Sequence, residues 1–386
     1  MPHILRGRFW AEDGLFLLDA WTRPFLDAMT TPHTGYFNIV ASLAAQAATL
    51  MPLQYAPVAS CAVALAFQTL PALLLVLSAI PWLQRPSHLL IALLVVATLP
   101  SSEEVWINSI TSQYHLILCG GIILADRVHT GRVRFLHGLI LGLAPLSGPG
   151  SAFLIPLFLA RACIDRSRGR LIQAAILGLC AIPQIASIFI NLEANRNFGI
   201  DPELLLLIIY AKHIVSPLLG RAHSVDIASD LAQHHQLGDV GILPLLIPAA
   251  ALLAFAFTVL RYGNTESRWL AAAGAVVLFL SYFGALGPQA QLLGADFGMR
   301  YAFAPQLLLE LSLLGIAVTA SAPVRKVTRI IVLWTVFVGL HGFVLVDQKM
   351  ARGPSWREQI AARDPAANAP IVLWPTSWAI RLPPGL

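Results

Sequence analysis

APVASCAVALAFQTLPALLLVLSAI, residues 56–80, carries no charged side chain and is long enough to cross a bilayer as a helix. A spanning helix needs about 20 mostly apolar residues, because only a helix satisfies its own backbone hydrogen bonds inside hydrocarbon. Comparable stretches recur at 172–190, 242–260, 269–286, 301–320 and 330–346. Shorter apolar runs occupy 88–99 and 114–125. A further pair, 136–145 and 152–160, is split by Ser147-Gly148-Pro149-Gly150, a strong helix breaker. That pair reads as two short spans or as a re-entrant hairpin, whose backbone must be shielded by protein. Together the runs predict an all-α polytopic transmembrane bundle of about ten short helices.

Composition agrees. The chain has 386 residues, 57% hydrophobic and 12% charged, about half the charge of an ordinary soluble domain. So little polar surface cannot cover a water-soluble globule of this size. The net charge of +5 does not point to nucleic acid, since no basic patch with interleaved aromatics accompanies it. Cys61, Cys119, Cys163 and Cys180 lie in or beside apolar runs without CxxC spacing. That indicates packing rather than a disulfide framework or a zinc site. The opening MPHILRGRFWAEDG has no apolar h-region, so it is not a cleavable signal peptide.

Charge distribution orients the chain. Basic residues gather in five short loops: Arg85; Arg127, Arg132 and Arg134; Arg161, Arg166, Arg168 and Arg170; Arg261 and Arg268; and Arg325, Lys326 and Arg329. The positive-inside rule places these loops in the cytoplasm, in a multi-pass protein of the cytoplasmic membrane. Threading the chain through the bilayer alternates consistently. The N-terminal segment, the 101–112 loop, the 193–240 region, the 288–300 loop and the C-terminal tail fall outside.

Phe9, Trp10, Leu15, Phe16, Leu18, Trp21 and Phe25 are interspersed with Glu12, Asp13, Asp19 and Asp27. This pattern predicts an amphipathic helix at the outer interface. The run 36–50 is too short to span and is expected on the membrane surface, as is 204–219, broken by Pro217. Residues 1–346 form one transmembrane module, with outer interfacial helices at 9–50 and spans from 56 onward. Residues 347–386 form a tail with Trp356, Trp374 and Trp378, expected to pack over the outer surface.

Several groups on the outer side can carry chemistry. In Trp10-Ala11-Glu12-Asp13-Gly14, a carboxylate at the membrane surface can act as general base or orient an acceptor hydroxyl. Its plainer role is a helix start, where acids suit the macrodipole. In Ser101-Ser102-Glu103-Glu104-Val105-Trp106-Ile107-Asn108, Ser101 and Glu104 have capping-box spacing. A second carboxylate converging on the first would instead make an acid pair of the kind used in glycosyl chemistry. In Asp296-Phe297-Gly298-Met299-Arg300-Tyr301, Arg300 can pair a phosphate or anchor the interface. Lys212 and His213 are a weaker phosphate contact. Glu310, inside an apolar span, is a functional candidate or a protonated, hydrogen-bonded acid. His234-His235 resembles half a metal site but reads as solvated loop.

The acidic dipeptide in the first outer loop, Gly35-Tyr36 after it, Glu104 and Asn108, and Arg300-Tyr301 entering a late span together resemble the bacterial GT-C glycosyltransferases. That superfamily includes oligosaccharyltransferases, protein O-mannosyltransferases and lipid A aminoarabinose transferases. The resemblance is architectural, covers most of the chain and rests on short, degenerate motifs. It implies an outer-face active site and a polyprenyl-phosphate-linked sugar donor. The acceptor would be a glycan, lipid or protein of the envelope; membrane lipids surround the protein and no nucleic acid is involved. It further implies Asp13 as the catalytic residue with Glu12 beside it, Glu104 as the second outer-loop acid, and Arg300 at the donor phosphate. Tyr301, Asn108 and Lys212 complete the expected binding set.

On this basis the expected chemistry is a single inverting displacement. Asp13 activates the acceptor, Arg300 holds the leaving phosphate and Glu104 orients a substrate. Carboxylates and phosphate together would bind a divalent metal, though the residues do not require one and none is assigned protein ligands. A transporter or flippase of lipid-linked glycans is the alternative from a different class, and an O-antigen ligase or polymerase the nearer one. Two departures from the GT-C pattern stand out: no span precedes the first acidic loop, and no large soluble domain follows the spans. The first leads to the expectation of a spanning helix encoded upstream of Met1.

Overall fold

The computed structural model describes residues 8–100, 102–191, 199, 201–285, 289–294, 298–344, 353–364 and 369–383. It is a helical protein. The strands among these residues are one two-residue pair, Ile371–Val372 and Ala379–Ile380, antiparallel in the tail. Five helices are long and apolar enough to cross a membrane: Leu53–Leu77, Arg168–Ile190, Pro202–Leu219, Leu243–Tyr262 and Met299–Thr319. These are compatible with a multi-pass membrane protein. Gly131–Leu146 and Pro149–Asp165 qualify together but meet at 119°, so the Ser-Gly-Pro-Gly breaker produces a sharp bend. Thr265–Phe283 and Ala322–Val344, 19 and 23 residues long, cover the described parts of the other two long apolar runs but are not among these five. The expected ten or so crossings therefore reduce, among the described residues, to five helices of spanning length and apolarity, or six if the bent pair is one span.

Burial separates the spans by role. The helix Ser112–Ala125 is buried at every residue, which suits its all-round apolar sequence. Its 14 residues are sheltered by the helices Leu70–Leu77, Gly131–Leu146, Thr265–Phe283 and Met299–Thr319 that pack on it. Leu243–Tyr262 is the opposite case. Only 11% of its apolar window is buried inside the protein, and Leu253, Phe257 and Leu260 are exposed. A bare leucine and phenylalanine face of that extent suits lipid rather than water.

Pro217 does not break its helix. An α segment, Pro202–Ile209, passes through a π-helical turn, Tyr210–Val215, into Ser216–Leu219. Proline lacks the N–H that a regular helix would use there, and a wider turn accommodates the gap. The stretch expected on the membrane surface therefore has the length and apolarity of a span.

The five basic loops meet at one end of the bundle. Ala79 N–H donates to Asp126 Oδ1 at 3.0 Å. Arg161 pairs with Asp165 at 3.1 Å and stacks 5.5 Å from the Trp269 ring. Ser312 donates to the Ser267 carbonyl at 2.8 Å, and Arg329 to the Ala317 carbonyl at 2.8 Å. Arg170, counted above as a loop cation, is buried. It donates to the carbonyls of Ile123 and Asp126, so it caps the Ser112–Ala125 helix.

At the other end, the short helices Asp13–Thr22 and Ile39–Thr49 pack through Phe16, Ala41 and Ala45 onto Ile110 of the 102–111 loop. Leu15, Phe25 and Leu26 remain exposed, the face expected of an interfacial segment. The described part of the tail covers the other side of these helices. Trp356 stacks edge-on with Phe9 at 4.9 Å and donates to the Leu53 carbonyl at 2.8 Å. Trp374 bridges Trp10 and accepts from Ala11 N–H. A Cβ at Gly14 would lie 2.5 Å from Ile380 and 2.6 Å from Leu373, so glycine is what lets the tail seat against the first helix.

Candidate active site

The loop 102–111 is the floor of the site, and Gln68 holds it. Its side-chain amide donates to the carbonyls of Val105 and Asn108 at 3.1 and 2.9 Å and accepts from Ile107 N–H at 2.8 Å. Ile107 has φ 59° and Ala11 has φ 42°. A left-handed backbone is costly at a β-branched residue, and such strain collects at functional sites. Each strained residue directly precedes a candidate site residue, Asn108 and Glu12.

Asp13 is buried. Its Oδ2 accepts from Trp10 N–H at 2.9 Å and its Oδ1 from the Ser109 hydroxyl. Burial pushes its carboxyl up to about 6; Glu12 adds to the rise, while hydrogen bonds from Ser109, Trp10 and Ile110 oppose it. With both oxygens engaged and no solvent access, Asp13 locks the N-terminal helix to the 102–111 loop. Glu12, one residue earlier, is half-buried and makes no capping hydrogen bond. It lies within electrostatic reach of Arg300 and Tyr36.

This burial has a measurable consequence. The folded protein keeps the Asp13 proton at a pH where the unfolded chain has released it. Stability therefore falls as pH rises from the ordinary carboxylate range to about 6, by on the order of 3 kcal/mol. Asp13→Asn is expected to remove that part of the pH dependence and to fold. The amide oxygen can accept from Trp10 N–H, and the Ser109 hydroxyl can turn to accept from the amide nitrogen. Thermal unfolding in detergent at about pH 4 and pH 7 tests this; an identical difference in wild type and variant would remove the assignment.

Glu104 and Arg300 are brought together across nearly two hundred residues of sequence. Arg300 Nη1 lies 2.8 Å from Glu104 Oε1, and Arg300 N–H donates to Oε2 at 3.3 Å. The pair is mostly buried, with side-chain exposures of 22% for Arg300 and 12% for Glu104. Arg300 therefore stands beside a carboxylate rather than alone at the interface. Lys212, on the π-helical turn, is buried within electrostatic reach of both. Asn108 spends both ends of its amide on the loop: Nδ2 donates to the Glu104 carbonyl at 2.6 Å, and Oδ1 accepts from Thr111 Oγ1 at 2.6 Å. These bonds tie the Glu104 backbone to Thr111.

Tyr301 is buried edge-on to Tyr114 at 6.0 Å. Both line a cleft of about 280 Å³ with Tyr36 and Gln113, which donates to the Tyr36 hydroxyl at 3.3 Å. The remaining walls are mainly apolar, from Ile117, Phe153, Ile188, Leu280 and Phe283, with Ser281 among them. At Gly148, with φ 154°, a Cβ would lie 2.0 Å from Gln113 Oε1. The breaker thus makes room for a cleft residue as well as bending the helix pair. Gln113 and Tyr114 belong to no motif that marks them in the sequence. Their only signal is a polar start to an otherwise apolar run.

Other candidates fall elsewhere. His213 turns away from Lys212 and bonds Gln306 Oε1 at 2.8 Å and the Tyr282 hydroxyl at 3.0 Å. Gln306 donates to Glu310 at 2.8 Å and Thr335 donates to its other oxygen at 3.5 Å, so Glu310 is part of a buried polar chain. His234 and His235 separate, to Asp239 at 2.9 Å and Glu203 at 3.1 Å. Adjacent residues on a helix face different ways, so they are not a metal half-site. Glu193, Asp296 and Phe297 lie outside the described residues. Comparison with family models, curated proteins and solved structures finds no match.

Proposed function

We propose that this protein is an integral membrane glycosyltransferase. It moves a sugar from a polyprenyl-phosphate-linked donor to an envelope acceptor on the outer face of the cytoplasmic membrane. The observation that carries this reading is the grouping of Arg300 and Glu104, with Lys212 and Glu12 in electrostatic reach of Arg300, beside a cleft that is tyrosine-lined on one side and mainly apolar on the rest. A sugar phosphate needs cations and hydrogen-bond donors; a prenyl tail needs an apolar groove. Charged groups held in a water-poor site stabilise a departing phosphate more than they would in water. The bundle end opposite the five basic loops is the outer one under the positive-inside rule.

Within this reading the roles shift from the expected ones. Glu12 replaces Asp13 as the base that takes the acceptor proton, because it is the accessible acid of the pair. Asp13 is the positioning residue. Arg300 and Lys212 hold the leaving phosphate, and Glu104 orients Arg300. A divalent metal bridging acid and phosphate is compatible with this set but is not needed for the displacement.

One observation favours the transporter alternative: the buried chain from Tyr282 through His213 and Gln306 to Glu310. Polar groups inside a bundle are the usual parts of a transport path. Mass spectrometry of envelope glycans and lipids from a deletion strain separates the two. A transferase predicts an envelope component lighter by one sugar, with the lipid-linked monosaccharide accumulating. Accumulation of a complete lipid-linked glycan instead would mark a flippase, and an unchanged envelope would sink the proposal.

A further inference from the structure

At the basic end of the bundle, three side chains that no chemistry above uses come together. Asp126 follows the Ser112–Ala125 helix, His129 lies in the irregular connection 127–130, and His137 sits on the Gly131–Leu146 helix. Their potential ligand atoms all lie within 4.8 Å of one another. Asp126 Oδ2 is 2.7 Å from His129 Nε2, and the two imidazole rings are 5.2 Å apart. His137 is buried, and its Nδ1 has no hydrogen-bond partner. An unsatisfied buried imidazole nitrogen is costly and calls for an explanation. We propose that Asp126, His129 and His137 form a binding site for a divalent transition metal, with Zn²⁺ the best match.

Ligand chemistry makes the choice. Two imidazoles and one carboxylate suit Zn²⁺, whereas Mg²⁺ and Ca²⁺ prefer all-oxygen sets. Zinc bonds of about 2.0–2.2 Å in a tetrahedron put ligand atoms roughly 3.3 Å apart. The Asp126–His129 contact is slightly inside that separation. The widest gap, at most 4.8 Å, exceeds it, so the ligand atoms draw together when metal binds. The carboxylate is already oriented, since its other oxygen accepts from Ala79 N–H at 3.0 Å and Arg127 N–H at 2.7 Å. Such outer hydrogen bonds are what aim a ligand at a metal. His129 keeps a side-chain exposure of 16%, so water can supply the fourth position.

The surroundings moderate affinity. Arg170 lies close enough to influence His137, and its guanidinium donates to the Asp126 carbonyl. Arg127 adjoins the site in sequence. These positive charges make the site weaker than a closed cysteine site. Bound metal would tie the end of the most buried helix to the start of the bent pair. Loop cation spacing would then depend on metal supply.

The test uses the full chain in detergent, purified without a polyhistidine tag, stripped by chelator and titrated with Co²⁺ as a spectroscopic substitute for Zn²⁺. One equivalent should bind with intense tetrahedral visible bands that Zn²⁺ abolishes. His129→Gln and His137→Gln should each weaken binding by at least about 10- to 100-fold, the loss that even an outer partner can cause. A double variant, His234→Gln with His235→Gln, should bind as wild type. If a histidine variant does not fold, Asp126→Asn removes the anionic ligand while keeping an oxygen for Ala79 N–H. Absence of saturable Co²⁺ binding in wild type would overturn the site. So would unchanged binding in the folded Asp126, His129 or His137 variants, or loss of binding in the His234/His235 pair.

Discussion

Glu12→Gln is expected to slow sugar transfer by about 100- to 10,000-fold, the usual contribution of a general base, without lowering stability. Glu12 is half-buried at a helix start, and its side chain makes no capping hydrogen bond. The amide keeps the shape and removes only the proton acceptor. Asp13→Asn is expected to lose far less rate, because that carboxylate is buried between Trp10 and Ser109 and does not face the cleft. The two variants should be compared in membranes at equal expression with the lipid-linked donor. A dead Asp13→Asn beside an active Glu12→Gln would return the catalytic role to Asp13. Equal losses would point to a shared structural role at the helix start.

Arg300→Ala should be damaging in two separable ways. Under the proposed function its loss removes the cation that holds the leaving phosphate, which by comparison with other charge-stabilising donors should lower turnover by about 100- to 1,000-fold. It also leaves Glu104 mostly buried without its partner, costing about 3–5 kcal/mol of stability. Adding Glu104→Gln to Arg300→Ala removes the stranded charge. The double variant is expected to recover most of the thermal stability and none of the transfer. Recovery of transfer together with stability would mean that the pair only holds the fold. Arg300→Lys discriminates further, since lysine keeps the charge but not the planar fork that can pair a phosphate while touching Glu104.

The long apolar helices and the gathering of basic loops at one end of the bundle were legible in one dimension. Runs such as 56–80 and 242–260 must be helical wherever they lie in lipid, because backbone groups have no other partner there. The clustering of arginines in alternate loops needs only a count along the chain. Even the bend at Ser147-Gly148-Pro149-Gly150 follows from local backbone preference, and the structure places 119° there. Local chemistry misled at Pro217, where the π turn supplied an accommodation that a regular helix lacks. Pairings of distant residues were not legible. Nothing in Glu104 or Arg300 announces its partner, and the buried state of Asp13 depends on Ser109 and on a tail seated against Gly14. Glu12 and Asp13 are adjacent acids with the same local propensity. The contacts at Ser109 and Gly14, together with the packing of Phe16 against Ala41, Ala45 and Ile110, decide which one turns inward and which stays within reach of Arg300. The site at Asp126, His129 and His137 has the same origin. Helix-forming residues determine that two helices form, but the tertiary fold determines that the end of one meets the first turns of the next, because burial acts on surfaces that exist only after the helices have packed.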